Sequence, residues 1–430
     1  MNDRIEAYLK RVSSPSPHGP TPSTAPTIAV VIPALAERDT LPSTLDSLAD
    51  NPAAMREKTI VIVVVNNRTA EFARPEDIAA NHETLAWLDD TTSLGTRAYR
   101  DELTVQWIDA ATHCNELAAK HGVGMARKLG MDLATRLMRD TPRAPIVSLD
   151  ADTRVDKNYL AAIDAHFQQP DAWGAVLPYA HDLPVDDPPR RTAIVLYELF
   201  LRYYRLGLMF AGSPYAFHTI GSAMAASVHA YVTIGGMNQK QAAEDFYFLQ
   251  SLQKSGRVHY LHGTTVHPSA RVSHRVPFGT GAYVTRDLDG EDTKAIAWHH
   301  DGFVALRALL AVAGHHCAEE PEKLPAAIIN AIEAADLQDT TRAFLHRLDF
   351  EDAWKRICEN SRTTQQRRAQ FHGWFDALKT LQLLRAFADG PRPPIAWHDA
   401  LTGLFDVAQW PQGDCRDAEL ALEILRERDS

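Results

Sequence analysis

The sequence predicts an α/β protein, a doubly wound and mostly parallel sheet with a helical C-terminal extension. Three observations carry this. From Thr27 onward, apolar runs of strand length alternate with stretches of helical periodicity, the texture of parallel strands joined by right-handed crossovers. Past residue 290 the strand-like runs fade and helical spacing continues to the end. At 430 residues the chain exceeds what one hydrophobic core supports, so a large domain with an accessory piece is expected.

Taken in order, residues 1–26 read as a short amphipathic helix through Ile5, Tyr8, Leu9 and Val12, followed by a Ser/Pro/Thr-rich tether from Ser13 to Pro26. Residues 27–290 form the sheet domain. It begins with a strand over Ile28 to Ile32, a helix over Leu41 to Leu48, and strands over Ile60 to Val65 and Leu103 to Ile108. A helical segment Asn115 to Lys120, a helix with the stripe Met125, Leu129, Leu133, Leu137, and a strand Ile146 to Leu149 follow. Residues 291–430 are helical, through Phe303 to Val312, Ala326 to Ala335, Phe344 to Ile357, Trp374 to Phe387 and Ala418 to Leu425. The boundary falls near Gly290, and no internal repeat is visible.

Composition removes several classes of function. A net charge of −11 argues against nucleic acid as a partner, because that affinity comes from clustered Lys and Arg. Cys114, Cys317, Cys358 and Cys415 are far apart, with neither metal-type spacing nor disulfide density, and read as reduced thiols of a cytoplasmic protein. The N-terminus lacks a secretory pattern. The most apolar segment, Ile194 to Phe210, is interrupted by Glu198, Arg202 and Arg205. It is a poor spanning helix; a core helix with a wet edge is the first reading, and peripheral contact with a membrane surface the second.

The most informative motif is Ile146-Val147-Ser148-Leu149-Asp150-Ala151-Asp152. An apolar strand ends in two carboxylates one residue apart, at the carboxyl edge where open α/β sheets place ligands. Two hard oxygen ligands there suit Mg²⁺ or Mn²⁺ with positions left for phosphate oxygens. No Walker A string exists, and Gly122-Val123-Gly124 is followed by Arg127 where a dinucleotide fingerprint needs a third Gly. The helix starting there carries Arg127 and Lys128 off its buried stripe, which suits either a diphosphate or a solvated basic face. In Glu244-Asp245-Phe246, two carboxylates open a helix that buries Phe246, Leu249 and Leu252 and stops at Gly256; they serve chemistry or the helix dipole. A third cluster holds His262, His267, Arg271, His274 and Arg275, with Gly279 and Gly281 beyond.

These residues together carry a resemblance. Val30-Val31-Ile32-Pro33-Ala34-Leu35-Ala36-Glu37 resembles the opening of family 2-like glycosyltransferases of GT-A fold, whose first strand ends in a Pro-x-x-x-Glu loop around the nucleotide base. Asp150-Ala151-Asp152 resembles their metal-binding D-x-D, and Gly235-Gly236-Met237 followed by Glu244-Asp245 resembles their Gly-Gly turn and acidic pair at the acceptor site. The resemblance covers residues 27 to about 285. It implies a metal-dependent glycosyltransferase moving a sugar from a UDP- or GDP-linked donor to an acceptor hydroxyl. Pro33, Ala34, Glu37, Asn67, Arg127, Lys128, Asp150 and Arg271 would bind the donor, Asp152 and His267 a Mn²⁺ or Mg²⁺ ion. In an inverting enzyme Asp245 would act as base, assisted by Glu244. Asn66 and Asn67 stand where such enzymes commonly place an Asp, and an Asn side chain still offers a donor and an acceptor to a uracil edge. The Arg127-Lys128 pair, His267 and the helical tail resemble retaining synthases of glucosyl- or mannosyl-glycerate type. The segment Gly221 to Ala226 reads as a small-residue strand packed under the sugar.

Three other readings share some of these residues. Asp150 and Asp152 fit the nucleophile and acid of haloacid-dehalogenase-type phosphatases, which usually begin with that motif, whereas several α/β units precede it here. Nucleotidyl transfer would use the same metal and base site. A catalytically inactive nucleotide-binding module would keep the fold without needing both acidic pairs.

Overall fold

The structure is a computed structural model that describes residues 2–13, 15–90, 103–271, 296–318, 321–411 and 416–429. Its strands are β1 (Ile28–Ala34), β2 (Thr59–Asn66), β3 (Thr104–Ala110), β4 (Pro145–Ser148), β5 (Thr153–Val155), β6 (Gly174–Val176), β7 (Met224–Ser227), β8 (Val258–Tyr260), β9 (Val266–Pro268), β10 (Ile296–Ala297) and β11 (Ile395–Ala396). Seven of them form one sheet in the order β3-β2-β1-β4-β7-β6-β8. Only β7 is reversed, pairing antiparallel with both β4 and β6, so the sheet is mostly parallel as expected.

The Val/Ile runs explain the centre of the sheet. All residues of β1 and β2 are buried, which is what continuous apolar strands covered on both faces require. Pro33 sits in this central strand without loss. Val31 O accepts from Leu149 N, so the backbone of Val31, and of Pro33 two residues on, faces the β4 side. The β4 ladder ends at Val31 with Ser148, leaving no acceptor for the N–H that proline lacks.

The chain divides into two compact units, one of residues 1–184, 219–282 and 429–430, the other of residues 185–218 and 283–428. This departs from the continuous 27–290 domain expected. The helix Pro188–Phe210 belongs to the helical unit although it precedes β7 in sequence. In the first unit the N-terminal helix Asn2–Leu9 is packed, with Ile5 fully buried. The following segment is not a free tether. His18 pairs with Trp107 on the edge strand β3 through two backbone hydrogen bonds of 2.8 and 3.2 Å, and Gln106 donates to Pro20 O at 3.0 Å. It thereby covers part of an edge that would otherwise present unpaired groups. The expected helix Asn115 to Lys120 is a turn, because Asp109 Oδ1 accepts from the Ala111 and Thr112 N–H groups at 2.9 Å each and bends the chain out of β3.

The helical unit contains His300–His316, Leu324–Ala331, Ala335–Arg347, Phe350–Asn360, Thr364–Trp374, Ala377–Ala388, Trp397–Ala408 and Ala418–Asp429, besides Pro188–Phe210. The expected helix Phe344 to Ile357 is broken at Asp349, which has φ +49°, and Trp374 to Phe387 is broken where Asp376 caps a new helix by accepting from Lys379 N. In Pro188–Phe210 the interrupting charges are structural: Glu198 is fully buried between Arg202, at 2.8 Å, and Arg426, at 2.7 Å. The apolar residues Ile194, Leu199, Tyr203 and Leu206 are buried too, so the core-helix reading holds and the membrane-surface reading is corrected. No helix among the described residues is long and apolar enough to cross a membrane.

Candidate active site

Two arginines organise the acidic motifs. Arg127, near the start of the helix Val123–Leu137, donates from Nε to Ser148 Oγ at 2.9 Å and from Nη2 to Asp150 Oδ1 at 2.5 Å. Its Nη1 pairs with Glu244, the first residue of the helix Glu244–Ser255. One guanidinium thus joins β4, the D-x-D loop and the second acidic pair. Arg271, just after β9, donates from Nε to Asp152 Oδ2 at 2.7 Å and pairs through Nη2 with Glu37, whose Oε2 accepts from Thr40 Oγ1 at 2.5 Å. The planar fork of each arginine makes such two-carboxylate bridging geometrically natural.

The backbone around these groups is shaped for them. Ala36 and Ala243 lie in the left-handed region, at φ +53° and +59°, each immediately before a clamped glutamate. A non-glycine residue there is strained and persists only where its surroundings hold it. Gly221 leaves the space that Arg127 fills, since a Cβ there would overlap the guanidinium. Gly236, at φ +84°, lies against the Tyr8 hydroxyl in the same way. Asn238 Nδ2 donates to Glu244 O at 2.8 Å and ties the Gly-Gly turn to the helix behind it.

Five carboxyl groups, Glu37, Asp150, Asp152, Glu244 and Asp245, share this region with the two guanidiniums. The imbalance shows in their proton affinities. Burial, then the neighbouring Glu244 carboxylate, pushes Asp245 up to about 7 in spite of Arg127. Burial pushes Asp152 up to about 6, with Glu37 and Asp150 adding to it against the opposing pull of Arg271. Arg127 moves the other way: its burial opposes the charge, and Asp150, Glu244 and Asp245 more than offset that.

Of the residues named from sequence, Glu37, Arg127, Asp150, Asp152, Glu244, Asp245 and Arg271 come together. Pro33 and Ala34 end β1 just before Glu37. Others do not join them. Lys128 gives its ammonium to Asp132 and to the Tyr8 hydroxyl, both at 2.9 Å, because the helix Val123–Leu137 is buried on most sides rather than on one stripe. Both Asn67 N–H groups are used inside the fold, on Arg68 O and Ala111 O, so the pairing group expected for a uracil edge is not presented. His267 has Nε2 on Asp156 Oδ1 at 2.9 Å and Nδ1 on Ala180 O at 3.2 Å, which engages both ring nitrogens expected to serve a metal. Gly122 and Gly124 are packed against the backbone of Asn238, Lys240 and Gln241, so that helix start faces a protein loop. His274, Arg275, Gly279 and Gly281 lie outside the described residues. The strand expected over Gly221 to Ala226 forms later, as β7.

Sequence reasoning missed Ser148, Thr40, Gly221 and Asn81. Asn81 donates to Asn66 O and Asn67 Oδ1 and accepts from Ala36 N, fixing the ends of β1 and β2. Its signal was available: in Pro75–Asp89 it shares the buried face of Thr84, Leu85 and Leu88. Among the described residues, the His/Cys/Asp/Glu trio with ligand atoms within 4.8 Å of one another is His299, His300 and Asp301 in the helical unit. There Asp301 is held by Arg392 at 2.8 Å and His299 Nδ1 accepts from Asp301 N, an N-cap arrangement.

The mostly parallel sheet thus carries a D-x-D at its carboxyl edge and a second acidic pair on a following helix. Residues 145–288 match the family model described as Glycosyl transferase family group 2. The matched stretch includes β4, Asp150-Asp152, the Gly-Gly turn, Glu244-Asp245 and Arg271. Comparison with curated proteins gives no match. Similar solved structures include S. aureus TarS 1-349 in complex with UDP-GlcNAc, at 14% identity over 80% of this chain and 90% of that one, TM-score 0.38. Another is the Pyrobaculum calidifontis mannosyltransferase PcManGT in complex with GDP-Man and Mn²⁺, at 16% identity over 88% and 93%, TM-score 0.37. A third is glucosyl-3-phosphoglycerate synthase of Mycobacterium tuberculosis with UDP, at 13% identity over 70% and 88%, TM-score 0.32.

Proposed function

We propose that the protein moves a sugar from a nucleoside-diphosphate donor, UDP- or GDP-linked, to an acceptor hydroxyl, with Mn²⁺ or Mg²⁺ held by Asp150 and Asp152. The observation that carries the reading is the excess of five carboxyl groups over two guanidiniums at the carboxyl edge of β1 and β4. A site this acidic fits a divalent cation, and Asp152 raised to about 6 marks where positive charge is wanting. When bound, such a cation supplies Lewis-acid neutralisation of the departing diphosphate.

The chain's own groups supply the rest. Asp150 and Asp152 are partly open, with side chains 35% and 20% exposed, so a ligand can reach their oxygens. Arg271 offers a planar fork to a diphosphate, and the β1 end with Pro33, Ala34 and Glu37 gives the nucleotide a wall. Asp245 serves as the base for the acceptor hydroxyl in an inverting reaction, because a carboxylate near 7 accepts a proton efficiently at neutral pH. Glu244, clamped by Arg127, positions the helix start that carries it.

A thermal-shift screen of UDP-, GDP- and dTDP-sugars with and without Mn²⁺ tests this. A ligand at about 100 times its Kd contributes about 2.7 kcal/mol, a plainly measurable shift in Tm. No nucleotide sugar stabilising the protein under any metal condition would remove the proposal. A covalent phosphate on Asp150 would establish the phosphatase reading instead.

A further inference from the structure

The two arginines are held differently. Arg127 has its side chain 4% exposed and engages Ser148, Asp150 and Glu244 at once, with Gly221 shaped around it. Arg271 is 26% exposed and, among the described residues, its guanidinium engages the oxygens of Asp152 and Glu37. Its Nε lies 2.7 Å from Asp152 Oδ2, on the carboxylate assigned to the cation. A divalent ion and a guanidinium in contact with one carboxylate repel each other strongly at such separations, so the two compete.

We propose that Arg271 is an internal counter-ion, occupying Asp152 in the ligand-free chain and transferring to the donor's diphosphate when the nucleotide binds. This rests on the reading of Asp150 and Asp152 as cation ligands. A diphosphate offers the arginine fork more charge and more acceptor oxygens than Asp152 and Glu37 do. Its arrival frees Asp152 for the cation. Metal and nucleotide therefore bind with positive coupling, and linkage makes the coupling reciprocal: each raises the affinity of the other by the same factor. Without nucleotide the chain holds the metal weakly, since Arg271 already satisfies part of the acidic site.

The test is isothermal titration of Mn²⁺ into the full chain, alone and with saturating UDP or GDP, corrected by a blank of Mn²⁺ into nucleotide. Wild type, R271Q, R271K and D152N are compared. R271Q is expected to bind Mn²⁺ alone about tenfold more tightly than wild type, within the usual range of such couplings, and to gain less from nucleotide. R271K, a point charge that cannot fork two carboxylates, is expected to fall between them, and its order relative to wild type decides the matter should R271Q fail to fold. Equal Mn²⁺ affinity in wild type and the Arg271 variants, or an unchanged gain from nucleotide, overturns the inference while leaving the metal site standing. Absence of Mn²⁺ binding in wild type even with nucleotide, or binding that D152N leaves intact, overturns the metal reading and this inference with it.

Discussion

Arg127 and Glu244 form a buried ion pair between the N-terminal parts of two helices, with side chains only 4% and 6% exposed. The same guanidinium holds Asp150 and Ser148, so removing it strands two carboxylates and a hydroxyl at once. R127Q is expected to destabilise the fold by about 3–5 kcal/mol, the usual consequence of leaving a buried charge without its partner. R127K should not rescue it, since an ammonium cannot reach three groups in one plane. The double variant R127M/E244Q, which removes both charges, should recover part of the loss. Urea unfolding curves at neutral pH check all three, and wild-type stability of R127Q would show that the pair carries no structural weight.

Asp245 gives the pH dependence. Its folded value of about 7 stands above the ordinary 3.8, so between these values the folded chain holds a proton that the unfolded chain has released. Stability therefore falls as pH rises from about 4 to 7, and the whole penalty is present above 7. D245N removes it. The ligand-free variant should be more stable than wild type at pH 8, by at least about 1 kcal/mol, with the difference vanishing near pH 4. If Asp245 is the base, kcat should nonetheless fall about 10²–10⁴-fold with donor affinity nearly unchanged, and the rising limb of kcat near pH 7 should disappear. Full turnover in D245N would exclude the base; a large loss in E244Q with D245N mild would move the acceptor contact to Glu244.

For Asp152 the expectation is a clean separation of activity from folding. It lies half-buried in the short loop after β4, with Arg271 as its one ion-pair partner among the described residues. D152A should abolish metal-dependent donor binding while lowering stability by about 1 kcal/mol or less. Melting curves with and without a nucleotide sugar and Mn²⁺ read both quantities. Equal donor affinity in EDTA, in wild type, would sink the metal dependence.

What could be read in the sequence follows the physics of each signal. The strands β1, β2 and β4 were legible because both faces are covered, which demands consecutive Val and Ile, and the D-x-D was legible because it follows one of them directly. The strands β6 and β8 have three residues each and no such run. Asp150, Asp152, Glu244 and Asp245 were legible as types at fixed spacing. The partners of Arg127 lie 21 to 117 residues away along the chain, and no local pattern encodes such distances. Lys128 and His267 show the same limit: Asp132, Tyr8 and Asp156 engage their polar atoms, and sequence shows a residue's capacity to bind without showing what already binds it.

Gly236 and Tyr8 supply a test of the N-terminal helix. Gly236 needs φ +84° and contact with the Tyr8 hydroxyl, which itself donates to Asp132 Oδ1 at 2.7 Å. G236A combines left-handed strain, about 1–2 kcal/mol, with a steric overlap that displaces Tyr8. Placed on a Y8F background, which removes the closest of the contacts, the same change should cost less. A double-mutant cycle by chemical denaturation measures the difference. Equal costs in both backgrounds would mean that the two residues do not meet.

The helix Pro188–Phe210 decides what a truncation would do. Its Glu198 is fully buried between Arg202 and Arg426, and Arg191 pairs with Glu419 at 2.6 Å, so its partners lie far along the chain in the helical unit. Cutting the chain at Gly290 removes Arg426 and Glu419. It also uncovers the apolar face through Ile194, Leu199, Tyr203 and Leu206, which packs on the helices His300–His316 and Trp397–Ala408. An exposed apolar surface of that extent drives association, so the 1–290 fragment should be insoluble. E198A in the full chain should cost about 3–5 kcal/mol by leaving two arginines without their carboxylate, whereas E198Q, which keeps hydrogen-bond acceptance, should cost less. Soluble yield and urea midpoints measure these outcomes. A soluble 1–290 fragment with a cooperative unfolding transition would show that Pro188–Phe210 does not depend on the C-terminal helices.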